Sequence, residues 1–198
     1  ASTGLLSILV VAASLVSMTM GPVDIPISHV AAIVLAPTGL EIAPYTRTEE
    51  LVVEQLRLPR IIVGILVGMA LGVAGATMQG LFRNPMADPG IIGVSAGGAV
   101  GAVLSIALGL SSMFFLALPL FAFAGAMGAA FLVYGIALVG GRFSMPTLLL
   151  AGVAVSAFLG AIISSVLVLV PSNEALREIL FWLAGGLDSR SWEHVRLS

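Results

Sequence analysis

Three long stretches of this sequence carry no charged side chain: residues 61–82, 89–141 and 143–173. A bilayer core about 30 Å thick is crossed by roughly 20 apolar residues in a helix. Within that core every backbone amide and carbonyl must find a partner, which a helix provides inside its own segment. The first and third stretches each hold one span. The middle stretch is long enough for two, with Gly109-Leu110-Ser111-Ser112 as the turn between them, and residues 1–23 hold one more. The reading is an all-α, polytopic integral membrane protein, one transmembrane domain over 1–198. Its five complete transmembrane helices fall at about 5–20, 61–81, 91–108, 113–139 and 147–170. Barrel strands would alternate in polarity, and these runs are apolar on all sides. A signal peptide would bring a basic start and a small-residue cleavage site. The first segment lacks both and precedes four further spans, so it reads as a helix.

Composition narrows the chemistry. Of 198 residues, 59% are hydrophobic and 9% charged, against about a quarter charged in soluble domains. The net charge is −2, from eight arginines, no lysine and ten acids, so no basic field for nucleic acid exists. Without cysteine there is no disulfide or thiolate site. The two histidines, His29 and His194, lie far apart in sequence, so neither a metal site nor a haem-ligating cluster is expected, and no cofactor. A Walker A motif ends in Lys-Ser or Lys-Thr, and this sequence has no lysine. Any nucleotide is therefore bound by another subunit, and no catalytic residue is expected here. No ionisable group falls at mid-span, which weighs against a proton- or sodium-coupled carrier.

The connections differ in character. Residues 21–60 form a long one, with Pro22, Pro26, Pro37 and Pro44, expected to fold against a membrane face with Ser28 capping a short helix over 29–35. Residues 83–90 read as a tight turn, because Pro85 and Pro89 fix φ and keep Asn84 and Asp88 out of the helical region. Residues 140–146 read as another, with Pro146 in the first turn of the next helix. Beyond Pro171, residues 174–183 form a short amphipathic helix, capped by Ser172 or Asn173. Leu176, Ile179, Leu180 and Leu183 share one face; Glu174, Arg177 and Glu178 share the other. The backbone turns again at 184–188, and a truncated sixth span is expected from about 191.

Small residues recur at helical spacing. Gly64, Gly68 and Gly72 form one stripe, and Gly93, Gly97 and Gly101 another. Lipid gives little hydrophobic drive between helices, so close packing over small residues supplies much of their association. Both stripes are read as helix-packing faces. Residues 93–97 also match G-x-S-x-G, but nucleophile-elbow chemistry needs a strand-turn-helix and a nearby imidazole. Among the intramembrane polar groups are Thr77, Gln79, Ser95, Ser105, Ser156, Ser164 and Ser165. Most are expected to bond to backbone carbonyls or across helices, and Gln79, the costliest to bury, to have a specific partner.

Several blocks carry a resemblance. Leu56-Arg-Leu-Pro-Arg60 precedes the second span. Gln79-Gly-Leu-Phe-Arg-Asn-Pro-Met-Ala-Asp-Pro-Gly90 follows it, then Ile91-Ile-Gly-Val-Ser-Ala-Gly97. Further on come Leu148-Leu-Leu-Ala-Gly-Val-Ala154 and Leu176-Arg-x-x-x-Phe-Trp-x-x-Gly-Gly186. In this order and spacing, from about Leu56 to the end, the sequence closely resembles the FecCD family. These are permease subunits of bacterial ABC importers for iron–siderophore complexes, haem and vitamin B12.

The resemblance implies the first half of a ten-helix permease in the bacterial inner membrane. It would work as a homodimer, a second permease copy completing the pathway, with two cytoplasmic ATPase subunits and an external substrate-binding protein. The family topology puts residues 21–60 and 171–188 outside and residues 83–89 and 140–145 inside. Arg83 and Arg142 then obey the positive-inside rule, whereas Arg47, Arg57 and Arg60 do not. In vitamin B12 permeases the two arginines of the Arg-Leu-Pro-Arg block meet acidic residues of the docked binding protein, and Arg57 and Arg60 match them. An arginine fork suits carboxylate capture. The cytoplasmic gate aligns with Met145 and Pro146, where vitamin B12 permeases carry small hydroxyl residues. The pathway-lining residues of the fifth span are read, by helical spacing, as Val153, Ser156, Ala157, Gly160 and Ser164. The cargo stays open among the three classes, with an iron–siderophore complex as first choice. Rival readings are an ion-coupled secondary transporter, an intramembrane serine hydrolase at Ser95, and a purely structural membrane subunit.

Overall fold

Helices are the only regular elements of the computed structural model among the residues it describes, 2–40, 42–139, 144–187 and 190–197. The protein divides into two compact units, residues 1–70 with 187–198 and residues 71–186.

In the first unit α1 (Ser2–Thr19) is apolar around its whole circumference and ends before Gly21 and Pro22. Then comes α2 (Ile27–Leu35), whose boundary residue is Pro26, with φ −56° and ψ 144° and no capping side-chain hydrogen bond. Ser28 is therefore not the cap expected of it. It lies inside the first turn, because the Pro26 ring already presets the φ of the boundary. A capping box starts α3 (Arg47–Leu51): Thr46 Oγ1 accepts from the Glu49 amide at 3.3 Å, and Glu49 Oε2 accepts from the Thr46 amide at 2.7 Å. The backbone then widens for one π turn over Val52–Arg57 and continues as α4 (Leu58–Phe82). Helix thus runs without a break over Arg47–Phe82 instead of starting at 61. Glu49, Glu50, Glu54 and Arg57 mark where a polar environment begins, which is not where the helix ends. The wide turn also suits Pro59, which lacks an N–H and whose ring would crowd the carbonyl four residues back in a regular helix. Met18, Ile25, Val30, Ile33 and Val53 form this unit's core. The short α9 (Trp192–Leu197) also belongs to this unit; Trp192 Nε1 donates to the Glu54 carbonyl at 3.0 Å.

In the second unit Arg83, at φ 49°, closes α4. Asn84 Oδ1 accepts from the Met86 amide at 2.9 Å and Asp88 Oδ1 from the Gly90 amide at 2.7 Å, which fixes the turn. A 3₁₀ turn over Pro89–Ile92 precedes α5 (Val94–Ala107). Gly93 at φ 80° and Gly109 at φ 71° bound that helix, so it is shorter than the apolar run suggested. At 14 residues it rises about 21 Å. Next come α6 (Ala117–Ala137), α7 (Met145–Leu169) and α8 (Asn173–Ala184). Ser144 caps α7 and Ser172 caps α8. Residues 140–143 of the expected turn, Arg142 included, and Asp188 lie outside the described residues.

Among the described residues three helices are long and apolar enough to cross a membrane: Arg47–Phe82, Ala117–Ala137 and Met145–Leu169. The α1 and α5 helices, expected as spans, are shorter. The face of α8 also differs from expectation. Ile179 is fully buried and packs with Val103, Ile106, Ala175 and Trp182, whereas Leu180, Phe181 and Leu183 are exposed. The apolar set 176/179/180/183 was chosen by spacing, but the residues of α8 in the packed cluster are 175, 179 and 182.

Candidate functional site

The structure separates the two arginines of the Arg-Leu-Pro-Arg block. The wide turn before Leu58 aims Arg57 back along its own unit. Its two terminal nitrogens donate to the carbonyl oxygens of Met18 and Val23. Arg60, one turn on, is exposed. Arg57 is half-buried and engaged with backbone.

Sequence reasoning missed a polar latch in the same unit. His29 Nδ1 and Glu49 Oε1 are 2.9 Å apart, joining α2 to α3. Glu49 also accepts from the Thr46 amide and hydroxyl, at 2.7 and 2.9 Å. These contacts, the Thr46 amide first and the His29 ring next, hold the Glu49 carboxyl down at about 2. Thr-x-x-Glu at 46–49 was the legible signal for the capping box; nothing in the sequence pointed to His29. Arg47 pairs with Glu50 at 2.8 Å, which raises the guanidinium pKa further. His194 Nδ1 lies 3.2 Å from the Ser191 amide and 3.0 Å from its hydroxyl. Burial, then the nearby Arg190 charge, lowers its pKa.

The glycine stripes behave differently from each other. Gly97 and Gly101 sit against the backbone of α6, at Gly125 and Phe121, so closely that a Cβ would collide with either carbonyl. Gly93 supplies the left-handed start of α5, with the Ser156 hydroxyl and the Gly152 carbonyl beside it. Gly125 and Gly152, the partners in these contacts, were not singled out as packing residues; the small-residue run around 124–130 was the signal for Gly125, and Gly152 stands inside the Leu148–Ala154 block. In the other stripe a Cβ at Gly64 would meet Leu187, but one at Gly68 or Gly72 would meet nothing within 4 Å beyond its own helix among the described residues. Among the described residues, no other helix packs on Gly68 or Gly72.

On α7, Leu148, Ala151 and Val155 face Val133 and Ala137 of α6, with Met145 against the same cluster. Pro146 is exposed in the first turn. Val153, Ala157 and Ser164 lie on the exposed side, with Gly160 and Ser156 half-buried. The Ser164 hydroxyl bonds to the Gly160 carbonyl at 3.0 Å. Thr77 and Ser165 likewise bond to carbonyls four residues back, at 2.8 and 2.9 Å. Gln79, expected to be buried with a partner, is exposed and makes no side-chain hydrogen bond to the described residues. Ser105 is the reverse: fully buried, its hydroxyl without a partner among the described residues. Ser95 is the second residue of α5, and its approach is a 3₁₀ turn rather than the strand that a nucleophile elbow requires.

The FecCD transport family model matches residues 8–198. The protein belongs to the FecCD transport family. Among FecCD relatives, the cobalamin import system permease protein BtuC of Halobacterium salinarum is 39% identical over 220 residues, covering 95% of this chain and 58% of that protein. The Fe(3+)-citrate import system permease protein YfmD of Bacillus subtilis is 40% identical over 147 residues, 74% of this chain and 42% of that protein. A solved structure, described as an inward-facing conformation of a metal-chelate type ABC transporter, superposes with a TM-score of 0.77 at 28% identity. The match covers 96% of this chain and 55% of that one. The sequence spans about half the length of the curated relatives it matches. FecCD membership and the apolar helices together make it a multi-pass, all-helical membrane protein.

Proposed function

We propose that this protein is the first half of the permease subunit of a binding-protein-dependent ABC importer in a bacterial inner membrane. The observation that carries the reading is the 39% identity, over 95% of its length, to a cobalamin import permease. In this reading two permease copies form the pathway, two ATPase subunits drive it from the cytoplasm, and an external protein delivers cargo. The absence of any lysine supports nucleotide binding elsewhere, since a Walker A loop needs one.

The cargo is an iron–siderophore complex or a similar large metal chelate. Apolar spans with few polar groups support a conduit of low affinity, which passes cargo instead of trapping it. The exposed side of α7, with Val153, Ala157 and Ser164, is the proposed wall of that conduit, and the half-buried Ser156 and Gly160 border it. Met145 and Pro146, at the start of the same helix, are the proposed gate. Arg57 and Arg60 are the proposed contacts for carboxylates on the binding protein, supported by their place in the Arg-Leu-Pro-Arg block and by the exposure of Arg60. Cobalamin is the second cargo reading, favoured by the name of a relative that covers nearly all of this sequence.

The test is uptake by the whole protein in proteoliposomes, with its ATPase subunits and binding protein and ATP inside. ATP-dependent uptake of a ferric hydroxamate supports the first cargo, and of cobalamin the second. Uptake driven by a proton or sodium gradient without ATP would overturn the importer reading.

A further inference from the structure

Pro22 removes the amide that would have bonded the Met18 carbonyl had α1 continued. Helix ends leave such carbonyls orphaned, and in an apolar setting each orphan is costly. Two of its neighbours find backbone partners: the Val16 carbonyl accepts from the Met20 amide and the Thr19 carbonyl from the Ile25 amide, both at 3.1 Å. The Met18 carbonyl accepts instead from Arg57, 39 residues away, and the same guanidinium takes the Val23 carbonyl. Gly21 makes room for this. It sits at φ +155°, and a Cβ there would come within 2.8 Å of Arg57 Nη2.

We infer that the Arg57 guanidinium caps the C-terminal end of α1 and that Gly21 and Pro22 form its receptor. Gly21 supplies the passage, Pro22 the unpaired carbonyl, and the planar fork spans two acceptors that a lysine ammonium could not hold in the same way. Arg57 is thus a positioning residue. It fixes where α1 ends and how residues 20–26 leave it. The cap does not rest on the docking reading proposed above.

The test is amide hydrogen exchange of the whole protein in lipid nanodiscs. Arg57→Lys and Arg57→Ala are expected to raise exchange across residues 19–26 about tenfold or more, as local opening free energy falls. Exchange in α6 should stay unchanged, which reports that the fold is intact. Gly21→Ala should loosen the same residues, and Gly21→Ala combined with Arg57→Ala should loosen them no further than either change alone. Arg60→Ala should leave them as in the parent. Wild-type exchange over 19–26 in Arg57→Ala would overturn the cap. So would an Arg57→Glu variant that loses binding-protein-stimulated uptake while 19–26 stay protected, since Arg57 would then touch the partner directly. If Arg60→Glu leaves uptake intact, the docking reading fails and the cap stands on its exchange data.

Discussion

Gly97 in α5 and Gly125 in α6 lie back to back, each occupying the space a Cβ on the other would need, with the Ala129 methyl beside them. No flexible side chain stands at this contact to yield. Gly97→Ala must push the helices apart, and overpacking of this kind costs roughly 1–3 kcal/mol. About 1 kcal/mol returns from the better helix propensity of alanine, so a net loss is expected. Gly125→Ala should cost a similar amount, and the double variant less than the sum, because both changes open one contact. Equilibrium unfolding in mixed micelles measures this. A Gly97→Ala protein as stable as the parent would remove the close approach.

Gly68→Ala and Gly72→Ala should behave in the opposite way. Among the described residues, a Cβ at either position would meet nothing within 4 Å beyond its own helix. Alanine then adds only helix propensity, up to about 1 kcal/mol per site. Helicity and unfolding midpoint should stay level or rise. A fall would mean that another copy or segment covers this face.

That contrast shows what the sequence could and could not convey. Two stripes with the same spacing, Gly64/Gly68/Gly72 and Gly93/Gly97/Gly101, read alike, because periodicity reports a smooth face and not its neighbour. The apolar runs located α6 and α7 closely, since long charge-free segments have few alternatives in lipid. They marked an apolar span at 61–81 inside the longer Arg47–Phe82 helix, because helix geometry continues through charged residues. They also overextended α5, whose ends are set by left-handed glycines that hydropathy does not register. The motif blocks carried the family. They did not carry the difference between Arg57 and Arg60, which depends on a π turn and on carbonyls more than 30 residues distant.

The α2–α3 latch should resist acid. Glu49 titrates at about 2 instead of the ordinary 4.5, held first by the Thr46 amide and then by His29. Its folded pKa is depressed, so its stabilising contribution is present above about 4.5 and lost as pH falls through about 2. Amide protection at Thr46–Leu51 should therefore persist from neutral pH to below 4.5. Glu49→Gln should reduce that protection at neutral pH and flatten its acid dependence. Carboxyl NMR that finds Glu49 titrating near 4.5 would show the latch to be open in solution.

Ser105 presents the clearest case of an uncompensated group. Its side chain is fully buried in α5, and among the described residues its hydroxyl has no hydrogen-bond partner. In Thr77, Ser164 and Ser165 the hydroxyl turns back to the carbonyl four residues earlier; at Ser105 the corresponding residue is Gly101, whose own surface is filled by the Phe121 backbone. Leaving a buried hydroxyl unpaired costs about 1–3 kcal/mol. Alanine keeps nearly the same volume and removes the polar atom, so Ser105→Ala should stabilise the α5–α6 pair, by as much as about 1–2 kcal/mol. Valine would add volume against a packed neighbour and should lose stability instead. Unfolding midpoints of the two variants, read beside Gly97→Ala, separate polarity from packing. If Ser105→Ala is destabilising, the hydroxyl has a partner in the working protein, and its role in joining α5 to its surroundings is polar.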